Sequence, residues 1–263
     1  MRVKRLLQNP LVKFVILSYV IFLVFFTAIG IGMLVGAPES ITTILQILSA
    51  WSSTFAFVIL FPKIYPGRKL KDFIKELFAQ KLKLSVFFCV VFVQLMIIVG
   101  TIILLTNTTD TQVTASFTGF GLLFLAFIDN LVRGPLGEEL GWRGYALNEL
   151  QKRYSPLKAA LLVGVLWGFW HTPLWFASGY TGVELIKYIA LFMIGIVSFS
   201  IFVTLFYNLN KNLVIPIVSH QIFNFSLVVM KGELLDILEY VMLFYFLVAF
   251  IVIVINPKKI LYQ

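Results

Sequence analysis

Apolar runs of about 20 residues recur along this chain, and that is the length an α-helix needs to cross a hydrocarbon core roughly 30 Å thick. Inside a bilayer no water satisfies backbone polar groups, so a spanning segment must be a helix or a strand of a closed barrel. Barrel strands are short and alternate apolar with polar residues. These runs are too long and lack that alternation. The sequence therefore predicts an all-α, polytopic transmembrane helical bundle. At 60% hydrophobic over 263 residues, it excludes an ordinary soluble domain.

Eight spans are predicted, at roughly 14–35, 43–62, 84–106, 117–137, 157–177, 184–207, 212–230 and 234–255. The first is read as a span and not a removable signal, because it has no small-residue cleavage site and many similar runs follow it. Arg2, Lys4, Arg5 and Lys13 precede the first span, Lys63 to Lys83 follow the second, and Arg143, Lys152, Arg153 and Lys158 follow the fourth. Lys211 lies between the sixth and seventh, and Lys258 and Lys259 follow the eighth. All of these fall on one side of an eight-span bundle, which the positive-inside rule makes cytoplasmic, with both termini inside. Only Lys187 and Lys231 fall near the other face.

The net charge of +9 is thus spread over inner loops, where anionic lipid attracts it, and the expected partner is the bilayer and not nucleic acid. Between 68 and 83, Leu70, Phe73, Ile74, Leu77 and Phe78 recur at helical spacing with charged residues between them. This pattern suits an amphipathic helix in the interface. The single cysteine, Cys89, is read as a small buried hydrophobe and permits no intrachain disulfide. Without an internal repeat, residues 1–263 read as one membrane domain.

Against this background a few polar residues stand out, since an ionisable group costs about 2.5–3.5 kcal/mol at the centre of a spanning helix on insertion scales. Glu138, Glu139 and Arg143 follow Gly134-Pro135 at the predicted inner end of the fourth span. Glu139 and Arg143 are i and i+4 and share a face, while Glu138 points about 100° away. One carboxylate can then be held by the arginine while the other faces a cavity. The only two histidines fall in later spans. Trp167 precedes His171 by one turn, and His220 precedes Asn224 by one turn.

These three blocks, Glu138-Glu139-xxx-Arg143, Trp167-xxx-His171 and His220-xxx-Asn224, resemble the ordered motifs of the CAAX protease and bacteriocin-processing (Abi) family of intramembrane endopeptidases, over about residues 130–230. The family's second motif usually begins with phenylalanine, where this chain has Trp167. The resemblance implies hydrolysis of a peptide bond in a membrane-associated peptide or protein, at a site reached from the cytoplasmic side of a bacterial cell membrane. It implies that Glu138, assisted by His171, activates water, that His220 and Asn224 stabilise the oxyanion, and that Glu139, Arg143 and Trp167 support them. Water activated without a metal is the favoured mechanism. Zinc held by Glu138, His171 and His220 stays open, because two histidines and a carboxylate make a known catalytic set. The substrate implied is a prenylated tail, a bacteriocin leader or a membrane-inserted toxin.

Two readings from other classes compete with hydrolysis. In one, Glu138, His171 and His220 relay protons or cations in a transporter. In the other, the chain is an immunity protein that sequesters a toxin without cleaving it.

Overall fold

The computed structural model describes residues 8–108, 114–115 and 119–262. Arg2, Lys4 and Arg5, and most of the loop predicted near 107–116, lie outside the described residues. The first helix, α1 (Pro10–Leu34), starts where Asn9 caps Leu11 N–H through its side chain and Pro10 takes the first helical position; proline's missing N–H costs nothing there. Then come α2 (Glu39–Ala50) and α3 (Ser52–Ile64), two halves of one apolar segment bent by 53°. After them follow α4 (Leu70–Leu77) and α5 (Leu84–Thr108).

The next segment departs most from expectation. Helix α6 (Phe120–Arg133) breaks at Gly134, and Pro135 restarts the chain as α7 (Pro135–Glu139). A π-helix (Leu140–Leu147) and α8 (Asn148–Gln151) continue it. The whole apolar stretch, Phe120–Gln151, is 32 residues long. Glu138 therefore falls near its middle, and the expected inner end at 137 is corrected: Gly134-Pro135 is a break within a span.

The remaining elements are α9 (Pro156–Trp170), α10 (Thr172–Phe176), α11 (Gly182–Asn210), α12 (Val214–Val229) and α13 (Leu234–Ile255). The small antiparallel pairing of β1 (Thr114–Ala115) with β2 (Met230–Lys231) ties two loops together. Among the described residues, five helical stretches are long and apolar enough to cross a membrane, six if α2 and α3 form one bent span, and α9 and α12 are shorter apolar helices. Each of the eight predicted runs overlaps one of these elements, the fourth running on past its expected end to Gln151. Side chains such as Val24, Phe92, Phe250 and Val254 are exposed and form the surface that lipid would cover.

Contacts define the two ends of the bundle. Asn9, Tyr65, Glu149 and Lys152 line one cavity, Asn212 donates to the carbonyl of Gln80 at 2.6 Å, and Leu157 N–H bonds Leu261 at 3.0 Å. Lys63 to Lys83, Lys152, Arg153, Lys158, Lys211, Lys258 and Lys259 thus gather at one end. Arg143 does not belong with them, because it is fully buried against Glu139. The opposite end carries the loops around Gly36, Gly179 and Glu233.

Two smaller expectations change. The 68–83 helix is only α4, and its apolar residues Phe73 and Leu77 are buried. Phe73 packs on Phe57 at 5.2 Å and Tyr65 at 5.3 Å, so this face is spent on the bundle. Cys89 is exposed on the apolar surface of α5, because α5 presents it away from α12 and α13.

Candidate active site

The di-glutamate is held in place by small residues. An added Cβ at Gly137 would lie 2.6 Å from the Trp51 ring, and one at Gly141 would lie 2.8 Å from Ser53. This pair at i and i+4 lets the segment lie directly on α3, as small residues do between membrane helices. Ser53 Oγ donates towards the Glu138 carbonyl at 3.3 Å, and Trp51 Nε1–H donates to the Val132 carbonyl at 2.9 Å. The π-helix begins directly after Glu139. Such wide turns leave backbone groups off the regular ladder and often mark functional sites.

Glu139 and Glu138 have separate partners, as their angular offset predicts. Glu139 Oε1 accepts from Arg143 Nη1 at 2.8 Å and from His220 Nδ1 at 2.7 Å. Arg143 also lies 4.2 Å over the Trp167 ring and 5.6 Å over Phe199, so aromatic faces share its charge. Glu139 is thus more than a partner for arginine: it ties the first motif to the third. Glu138 Oε2 accepts the indole N–H of Trp167 at 2.6 Å. Its Oε1 takes no hydrogen bond among the described residues.

The histidines are oriented by what they touch. His171 caps α9, and its Nδ1 faces the Trp167 carbonyl at 2.8 Å. A carbonyl only accepts, so Nδ1 carries the proton and Nε2 keeps its lone pair. By the same reasoning His220 Nδ1 donates to Glu139. The Asn224 amide donates to His220 Nε2 at 3.0 Å, and an added Cβ at Gly134 would lie 2.8 Å from that amide nitrogen. Trp167 is the common neighbour: its ring meets His220 at 5.0 Å and His171 at 5.7 Å, both edge to face.

A cavity of about 140 Å³ opens beside these groups, lined by Trp167, His171, His220 and Asn224 together with apolar side chains of α11, α12 and α13. Glu138 is not on that wall and reaches it through Trp167. Glu138, Trp167, His171, His220 and Asn224 are brought together, with Glu139 and Arg143 behind them. Sequence reasoning missed Gly137, Gly141, Ser53 and Gln94, and read Gly134 only as a helix boundary. Gln94 is buried in α5 and donates to the Ser219 carbonyl at 2.9 Å and the Tyr245 hydroxyl at 2.8 Å, bracing the turn that presents His220. The Gly137/Gly141 spacing was a readable signal for the first of these; nothing in the sequence pairs Gln94 with Ser219.

The zinc alternative fits poorly. Among the described residues no group of three or more His, Cys, Asp or Glu is arranged to hold a metal ion. Both ring nitrogens of His220 are engaged, by Glu139 and Asn224. For Glu138, His171 and His220 to act as a ligand set, His220 would first have to give up one of these bonds.

Residues 120–226, which carry all three motifs, match the model of the family described as Type II CAAX prenyl endopeptidase Rce1-like. The chain is also 33% identical, over 178 residues, to CAAX prenyl protease 2 of Methanococcus maripaludis. That alignment covers 64% of this chain, and the chain spans 65% of the length of this curated relative.

Proposed function

We propose, from the match of residues 120–226 to the Rce1-like CAAX prenyl endopeptidase family model, that this integral membrane protein is an intramembrane endopeptidase hydrolysing a peptide bond of a membrane-associated peptide or protein. The observation that supports the reading is that Glu138, His171 and His220, from three separate segments, all border the Trp167 indole beside a cavity.

The residues divide the work of hydrolysis. Trp167 holds Glu138 Oε2, which leaves Oε1 to accept a proton from water as that water attacks the scissile carbonyl carbon. His171 Nε2, unprotonated in the tautomer that the Trp167 carbonyl fixes, is the second acceptor that aligns the water. Charge then develops on the carbonyl oxygen. The Asn224 amide, oriented by His220, is the donor beside the cavity, and it acts in a water-poor interior where such donors are most effective. His220 Nε2 accepts one N–H of the Asn224 amide, which holds that amide so that its second N–H is free for the oxyanion, and Glu139 fixes the His220 ring through Nδ1–H. Collapse of the tetrahedral intermediate breaks the C–N bond, and the proton taken up by Glu138 passes to the leaving amine. No step requires a metal.

The basic end is proposed to face the cytoplasm. Among the substrate classes left open by the motifs, a lipidated C-terminal segment is favoured by the names of the matched family and relative, and a bacteriocin leader is not. Reconstituting the protein with membrane-anchored peptides, some prenylated near the C-terminus, tests the proposal. Defined fragments should form with the native protein and vanish with Glu138→Gln. Ion flux through the same liposomes without any cleavage would instead favour the relay.

A further inference from the structure

At the basic end three helix ends meet around a second cavity, of about 270 Å³. Asn9 and Pro10 start α1 there, Tyr65 follows the end of α3, and Glu149 to Tyr154 close the segment that carries the di-glutamate. At 1.5 Å per residue the 25 residues of α1 span about 37 Å, more than a hydrocarbon core of roughly 30 Å. The Pro10 end of α1, and the cavity with it, therefore lies at the depth where lipid phosphates reside.

The wall of this cavity is rich in donors. Tyr145 lines it and is 1% exposed, with its ring held against Phe14 at 5.1 Å and Phe57 at 5.0 Å. Its hydroxyl takes no hydrogen bond among the described residues, and a buried hydroxyl left without a partner is costly. Glu149 Oε1 accepts from the Tyr65 hydroxyl at 2.7 Å and from Lys152 Nζ at 2.5 Å, so one of the two lining cations already neutralises the carboxylate. Arg153 is the other cation. It is exposed, and its guanidinium has no hydrogen-bond or ion-pair partner among the described residues. Asn9 and Tyr154 add an amide and a hydroxyl to the same wall.

We infer that this cavity binds the phosphate of an anionic lipid headgroup, with Arg153 as its counter-charge and the Tyr145 hydroxyl as a donor on its inner wall. A phosphodiester carries a single negative charge and only acceptor oxygens, which matches one uncommitted cation among O–H and N–H donors. Arginine suits phosphate because its planar fork can donate two parallel bonds. An occupant bonded to Tyr145 would also brace the π-helix (Leu140–Leu147), which carries Arg143 of the candidate active site. The cavity shares no lining residue with the one beside His171, and the inference does not depend on the proteolytic reading.

The experiment follows thermal unfolding of the full chain in neutral detergent, titrated with short-chain phosphatidylglycerol, phosphatidylcholine or inorganic phosphate. Phosphatidylglycerol is expected to raise the melting temperature by at least about 4 °C near saturation, and phosphatidylcholine, whose choline cation opposes Arg153, by much less. Arg153→Gln and Tyr145→Phe should each lose most of that shift, whereas Lys259→Gln, which removes a charge at the same end but outside the cavity, should keep it. Tyr145→Phe changes no charge, so it separates a built site from general attraction of anionic lipid to a chain of net charge +9. Arg153 is exposed, so its variant folds even if the inner one does not. A shift that is equal with phosphatidylcholine, or equal in the native protein and both cavity variants, overturns the site. The same Arg153-dependent shift with inorganic phosphate alone assigns the cavity to a soluble phosphate and overturns the lipid.

Discussion

The indole N–H of Trp167 meets Oε2 of Glu138 at 2.6 Å, while the Arg143 guanidinium lies 4.2 Å over the same indole. One side chain therefore positions the proposed base and helps to hold the buried cation. Phenylalanine can fill the ring's place but cannot donate. Trp167→Phe should lower kcat about 10- to 100-fold, as loss of a hydrogen bond worth about 1.5–3 kcal/mol to a charged group predicts. KM should stay within about twofold. A kinetic comparison checks this, and an unchanged kcat would show that the bond does not serve catalysis.

Glu139 joins Arg143 to His220 through a single oxygen. Replacing it with alanine leaves a fully buried guanidinium without its carboxylate, a change that costs about 3–5 kcal/mol. Thermal unfolding in detergent should show a clear fall for Glu139→Ala. Glu139→Gln, which can still accept a hydrogen bond, should recover part of the stability but little activity.

Gly134 leaves room for the Asn224 amide, 2.8 Å from where its Cβ would be. Gly134→Ala is expected to displace Asn224 from His220 and to reduce hydrolysis more than folding. Gly30→Ala is the matched control, since nothing lies within 4 Å of a Cβ there. Paired activity and melting measurements separate the two effects.

His220 is engaged at both nitrogens, and the mechanism uses water activated by side chains alone. Hydrolysis should therefore survive prolonged treatment with a strong chelator. Loss of activity that added zinc restores would mean that the site rearranges around a metal.

Much of this was legible in the chain. Each of the eight apolar runs overlaps an observed helical segment, although the unbroken helices among them range from 15 residues in α9 to 29 in α11. The three motifs were legible as i, i+4 pairs, and those pairs do bond: Glu139 with Arg143 and His220 with Asn224. The depth of the di-glutamate was not legible. Charge near Gly134-Pro135 looked like a span end, but Glu139, Arg143 and His220 compensate one another, so the segment runs on to Gln151. Periodicity also could not show that Trp167 bonds Glu138, since that contact joins two helices brought together only by packing. The cavity beside His171 depends on which side chains of α11, α12 and α13 leave space unfilled, and no local pattern encodes that.

Water attack directed by Glu138 is tested most directly by cleavage of a membrane-anchored peptide in water labelled with heavy oxygen, comparing the native protein with Glu138→Gln at equal folding. The expected result is one label in the newly formed carboxyl group with the native protein and no fragment with the variant. Fragments released by Glu138→Gln at the native rate, or product without the label, would contradict it.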